Sequence, residues 1–177
     1  MAVSLNKIPF LDEDNILPLA AFLVCSGALT IILAALAFEH IGGYTPCPLC
    51  YRQRYVYYFA VPVAGLAMMW ALYEKRDAAV LALTLCAAGF AVNSALGVHH
   101  AGVEWGWWPG PTSCAAANLN APVGNLLEDL NTATEVSCEN PSWRFLGLSF
   151  AGYNALISAG LALIAFAGSW LGWRRET

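Results

Sequence analysis

Ile16 to Phe38 reads ILPLAAFLVCSGALTIILAALAF, 23 positions without a charge. A helix rises about 1.5 Å per residue and needs about 20 apolar residues to cross about 30 Å of hydrocarbon. This stretch is long enough. Three more charge-free runs follow: Tyr55 to Tyr73 holds 19 residues, Ala78 to Val98 holds 21, and Leu146 to Leu171 holds 26. The whole chain has 177 residues, 59% hydrophobic and 11% charged. A soluble domain carries about 25% charged residues, so most of this chain cannot face water. The expectation is one all-α integral membrane domain over residues 1–177. It is a four-transmembrane-helix bundle with spans at 16–38, 52–73, 78–98 and 146–171.

The first span has a competing reading as a signal peptide, because Ala35-Leu36-Ala37 resembles a cleavage site. Asp12, Glu13 and Asp14 precede it where a basic cluster would stand. A signal core is also only about 7–15 residues long. The segment is therefore read as a retained helix. Four spans put both termini on one side and the loops at 39–51 and 99–145 on the other. Lys7, Lys75, Arg76, Arg174 and Arg175 lie with the termini, against Arg52, Arg54 and Arg144 with the loops. That bias favours cytoplasmic termini. The net charge of −4 gives no reason to expect nucleic-acid binding.

The second loop has structure of its own. In Pro122 to Leu130, the residues Val123, Leu126, Leu127 and Leu130 recur at helical spacing. They predict a short amphipathic helix, lying on the membrane surface or packed on the loop itself.

Six cysteines punctuate this map. Cys47-Pro48-Leu49-Cys50 is a Cys-X-X-Cys motif where the first loop meets the second span. Pro48 fits the first helical position, where its missing N–H costs nothing. A helix N-terminus carries partial positive charge, which favours thiolate, and thiolate is the form that attacks disulfides. Arg54 follows Cys50 by four residues and shares its helix face. Its fixed charge suits a thiolate or a developing negative charge beside it. The bland alternative is an arginine that snorkels to lipid phosphate. Arg52 points to another face.

Cys114 and Cys138 share the second loop. In an oxidising compartment they would pair, as a structural staple or as a second redox couple. Cys25 and Cys86 fall in mid-span and read as small buried hydrophobes. Zinc is a competing reading, because the loop cysteines with His99 and His100 supply enough ligands. Zinc ribbons repeat a close spacing in their second half, whereas Cys114 and Cys138 stand far apart. No metal is expected.

The full pattern resembles the DsbB family, disulfide bond formation protein B of bacterial inner membranes. It is carried by Cys47-Pro-Leu-Cys50-Tyr-Arg-Gln-Arg54 after the first span, His100-Ala-Gly-Val-Glu104-Trp before Cys114, and Cys138 ahead of Trp143-Arg-Phe-Leu-Gly147-Leu. The resemblance covers nearly the whole chain. It implies an inner-membrane protein-disulfide:quinone oxidoreductase with periplasmic cysteine loops. The DsbA–DsbB–quinone relay keeps the bacterial periplasm oxidising. The implied partner is a DsbA-like thioredoxin-fold dithiol, which attacks the Cys114–Cys138 bond. Cys138 then attacks Cys47 and frees Cys50. Electrons pass from Cys50 to a membrane quinone, ubiquinone or alternatively menaquinone, held with Arg54 and His100. His99 is adjacent, so that assignment can slip by one. Glu104 and Trp105 to Trp108 read as interface or loop packing. Pro48 and the sequence of the second loop depart from the best-known members.

Two other readings compete. A vitamin K epoxide reductase-like enzyme also joins thiol pairs to a quinone, but its quinone-facing Cys-X-X-Cys comes late in the bundle. A disulfide-stapled membrane scaffold would leave Cys47 and Cys50 inert.

Overall fold

The computed structural model describes residues 15–110, 138, 139, 141 and 143–174. Cys114, the 122–130 helix and the terminal segments lie outside the described residues. Four helices carry the fold: α1 (Ile16–His40), α2 (Pro48–Leu72), α3 (Arg76–Glu104) and α4 (Phe150–Trp173). All four are long and apolar enough to cross a membrane. Between α3 and α4 lies a two-stranded antiparallel hairpin, β1 (Arg144–Phe145) and β2 (Leu148–Ser149).

The helix ends differ from the charge-gap boundaries for identifiable reasons. α2 begins at Pro48, four residues before 52, because Cys47 caps it. The Cys47 sulfur accepts from the Cys50 backbone N–H at 3.3 Å. α3 continues past 98 to Glu104, so His99, His100 and Glu104 are helical and not part of a loop. α4 begins at Phe150 and not at Leu146. Leu146 and Gly147 instead form the hairpin turn, with φ of +48° and +83°. Two successive positive φ values are the signature of a two-residue hairpin turn. Ser149 then caps α4 by accepting from the Gly152 backbone N–H. The chain turns between α2 and α3 at residues 73–75, with Glu74 in the left-handed region at φ +59°. Pro62 sits inside α2 without ending it.

The buried core is rich in alanine, including Ala21, Ala28, Ala60, Ala64, Ala79 and Ala165, with Leu83 and Phe90 among the large side chains. Large apolar residues such as Phe22, Leu33, Leu81 and Leu163 face outward. That inversion suits a bundle in lipid, where close backbone approach rather than hydrophobic expulsion drives helix association. α3 and α4 pack most extensively. At their crossing, a Cβ on Gly97 would stand 2.9 Å from Ala155 backbone atoms. Cys25 and Cys86 sit in this core, and the Cys25 thiol donates to the Val61 carbonyl at 3.4 Å.

Candidate functional site

The N-terminus of α2 brings the first cysteine pair to one end of the bundle. Cys47 and Cys50 carry free thiols, with their sulfurs 3.0 Å apart. Cys47 is buried beside Leu49 and Val103, with Cys50 packed against them. Its cap position places it outside the span. Its thiol is held down to about 4, first by the hydrogen bond from Cys50, then by His100 and the Cys50 backbone N–H, against the cost of burial. The lowering matches the anion preference of a helix N-terminus.

Cys138 is disulfide-bonded and 1% exposed. It packs in the same small cluster as Cys47, so the two loop regions converge on one spot. This convergence brings a bonded sulfur and a free dithiol together.

The extension of α3 delivers His100 to the pair. Its Nε2 lies 3.6 Å from the Cys47 sulfur, and its Nδ1 lies 3.2 Å from Gln53 Nε2. His100 is 2% exposed. His99, one residue earlier, points elsewhere and stacks on the Trp108 ring at 5.5 Å. Trp108 donates its indole N–H to the His99 carbonyl. Helical geometry thus separates the two histidines that sequence left ambiguous.

Arg54 does not bond to Cys50. Its guanidinium pairs with the Glu39 carboxylate and donates to the Ala35 carbonyl at 3.3 Å, joining α2 to α1. Tyr51 donates to the same carboxylate at 2.9 Å. Sequence reasoning missed Glu39. The signal was there, since Glu39 is the first charge after the first span and lies near the Cys-X-X-Cys. Arg52 is exposed.

These groups surround a cavity of about 410 Å³. Cys47, Cys50, Arg54 and His100 all line it. Its apolar wall includes Ile31, Ile32 and Ala35 from α1 and Ile157 from α4. An aromatic group of Phe38, Tyr44, Trp143 and Phe150 closes one side, with Trp143 stacked on Phe150 at 4.8 Å. A mostly apolar cavity with a few convergent polar groups is the usual form of a small-molecule site. Glu104, read from sequence as interface packing, also reaches this wall. Its Oε1 lies 3.8 Å from His100 Nε2, and its buried Oε2 has no hydrogen-bond partner among the described residues.

Beneath the cavity floor lies a polar network that sequence reasoning also missed. Gln53, Tyr57, Asn93, Asn154 and Ser158 join α2, α3 and α4. Polar residues inside apolar spans are expensive and often mark function. Their presence was legible, but their register across three helices was not.

Known proteins resemble this chain over most of its length. The family model described as "Disulfide bond formation protein DsbB" matches residues 17–168. A disulfide bond formation protein B of Marinobacter nauticus is 31% identical, covering 76% of this chain and 79% of that protein. One of Methylococcus capsulatus is 30% identical, covering 86% and 92%. An uncharacterized protein of Rickettsia prowazekii is 24% identical, covering 91% of both. No solved structure gives a match.

Proposed function

Because the chain belongs to the disulfide bond formation protein B family, a family of multi-pass membrane proteins, we propose that it is a thiol oxidase that makes disulfides at the expense of a membrane quinone. The carrying observation is the free Cys47–Cys50 dithiol, capped on α2, opening onto an apolar cavity while bonded Cys138 packs against Cys47.

The residues suit a quinone. A flat ring with two carbonyl oxygens needs aromatic walls, a donor for oxygen and an apolar path for its tail. Phe38, Trp143 and Phe150 supply walls, and Arg54 supplies N–H donors. The side chains of Ile31, Ile32 and Ile157 supply the apolar path between α1 and α4. When bound, a quinone accepts two electrons and two protons. The protein's own part is the thiol exchange. A periplasmic DsbA-like dithiol reduces the Cys114–Cys138 bond. The Cys138 thiolate attacks Cys47 of the oxidised first pair, forming an S–S bond to Cys47 and releasing Cys50 as the leaving thiolate. Cys50 faces the cavity and is the sulfur from which electrons depart. Closing both bonds again leaves the protein unchanged, one partner disulfide made, and two electrons and two protons passed on. Arg54, already matched by Glu39, holds its guanidinium at the wall without adding net charge to the membrane. Both termini are assigned to the cytoplasm of the bacterial inner membrane, and the cysteine loops to the periplasm.

The test is quinone reduction by purified protein in detergent, following ubiquinone-1 absorbance after adding a reduced thioredoxin-fold dithiol, with Cys50→Ser alongside. Consumption by the native chain alone supports the reading. If neither protein consumes quinone while the loop cysteines stay unreactive, the stapled scaffold takes its place.

A further inference from the structure

The polar network beneath the cavity ends on the ring of His100, and its donors and acceptors can be assigned one by one. Asn93 directs its Nδ2 at Ser158 Oγ at 2.9 Å and at Asn154 Oδ1 at 3.4 Å, leaving its own Oδ1 without a partner among the described residues, and the Tyr57 hydroxyl meets Asn154 Oδ1 at 2.7 Å. Asn154 Oδ1 is therefore the acceptor, which turns Asn154 Nδ2 towards Gln53. That nitrogen donates to Gln53 Oε1 at 2.8 Å. Gln53 Oε1 is thus occupied, so its Nε2 faces His100 Nδ1 at 3.2 Å. An amide nitrogen has no acceptor capacity. With the three amides in this orientation, His100 Nδ1 accepts and carries no proton. A neutral imidazole then holds its proton on Nε2, the atom that faces Cys47 at 3.6 Å and Glu104 Oε1 at 3.8 Å.

We propose that Asn154 and Gln53 are positioning residues that lock His100 in the Nε2–H tautomer, so that the ring offers a proton donor, and not a lone pair, to the Cys47 sulfur. The importance given to the Cys47 thiolate rests on the thiol-oxidase reading, whereas the tautomer does not. The relay connects three helices to one proton: Asn93 on α3 orients Asn154 on α4, which orients Gln53 on α2, which sets the ring on α3. A thiolate at Cys47 then receives three N–H or S–H donors, from His100, the Cys50 thiol and the Cys50 backbone. Glu104, with Arg144 acting on it, is the further titratable group that faces this cluster.

The same assignment bears on metal binding. The Cys47 and Cys50 sulfurs and a ring nitrogen of His100 lie within 4.8 Å of one another, a grouping that would suit a thiophilic cation. Ligation through Nε2 needs its lone pair, hence a proton on Nδ1, opposite the Gln53 N–H. Both amides would have to turn over first. The relay therefore favours thiol chemistry over metal capture at this cluster.

The experiment is side-chain nitrogen NMR of 15N-histidine-labelled, reduced protein in detergent, without quinone, at pH about 8, above the usual imidazole range. His100 is identified by the resonances lost in His100→Gln. The native chain should show a protonated Nε2 and an unprotonated Nδ1. Asn154→Asp keeps the size but removes the Nδ2 donor. Its carboxylate should draw the Gln53 N–H, turn that amide, present Oε1 to His100 and invert the pattern to Nδ1–H. Gln53→Met keeps bulk without polarity and should give a mixture of tautomers. Alkylation of Cys47 by iodoacetamide at pH about 3.5, below the depressed value of its thiol, should slow up to about tenfold in Asn154→Asp, the loss of one hydrogen bond to a charged group. A protonated Nδ1 in the native chain, or one unchanged pattern in all three proteins, overturns the relay. The tautomer is read without quinone, so failure of quinone reduction with these patterns intact would reject the oxidase reading and leave the relay standing. Quinone reduction with the wrong patterns would do the reverse.

Discussion

Between α3 and α4 the backbones meet at Gly97 and Ala155, whereas at the cysteine end α1 and α4 flank a cavity of about 410 Å³. Both seams are built from charge-free helices in the same bundle. At that crossing the closed seam uses small residues, so van der Waals contact is dense. The open seam uses Ile31, Ile32 and Ile157 on its flanks and gathers Cys50, Arg54 and His100 at one end. The contrast separates two tasks. The α3–α4 crossing holds helices together, and the cysteine end of α1 and α4 leaves room for chemistry. Side-chain size, not hydrophobicity, marks the difference.

Substitutions that strike one seam and spare the other test this division. The largest effect falls at the open seam: Cys50→Ser should reduce quinone turnover to background while the melting temperature in detergent stays unchanged. Normal turnover in that variant would remove Cys50 as the electron donor. At the closed seam, Gly97→Leu should do the opposite. Forcing a side chain against the Ala155 backbone should cost about 1–3 kcal/mol of stability, read as a lower melting temperature. Equal stability would mean that α3 and α4 can slide apart.

Arg54→Ala should raise the KM for ubiquinone-1 about tenfold or more, the loss of a charge-assisted hydrogen bond, with a smaller change in kcat. An unchanged KM would exclude Arg54 from the quinone. The Cys47 thiol is depressed to about 4, so its reactive thiolate should persist as pH falls and vanish only as pH drops through that value. Iodoacetamide alkylation of reduced protein, mapped by peptide mass spectrometry from pH 8 to pH 3.5, reads this directly. Loss of reactivity already near pH 8 would contradict the cap and donor geometry. The smallest effect falls on an outward-facing side chain. Leu163 is 68% exposed, and Leu163→Ala should change stability by no more than about 0.5 kcal/mol and leave turnover unaltered.

The four spans were legible because a charge in lipid is costly, and the gaps between charges mark what lipid can hold. The same rule misplaced two ends. It stopped the third span before His99, although His100 and Glu104 continue α3 with their side chains turned into the protein. It started the fourth span at Leu146 because the residue is apolar, although its positive φ belongs to a turn. The Cys-X-X-Cys at a helix start was legible from Pro48 and spacing alone. The partnership of Arg54 with Glu39, and of Gln53 with Asn154 and His100, depends on how three helices rotate against each other. No local pattern carries that register.

The most direct measurement is a single turnover on the reduced chain with Cys114 and Cys138 both replaced by Ser. One equivalent of ubiquinone-1 is added, and quinol formed and thiols lost at Cys47 and Cys50 are counted together. The account predicts one quinol for each two thiols lost, both from this pair. Quinone left untouched beside a persistent dithiol, or a dithiol oxidised without quinol appearing, would contradict it.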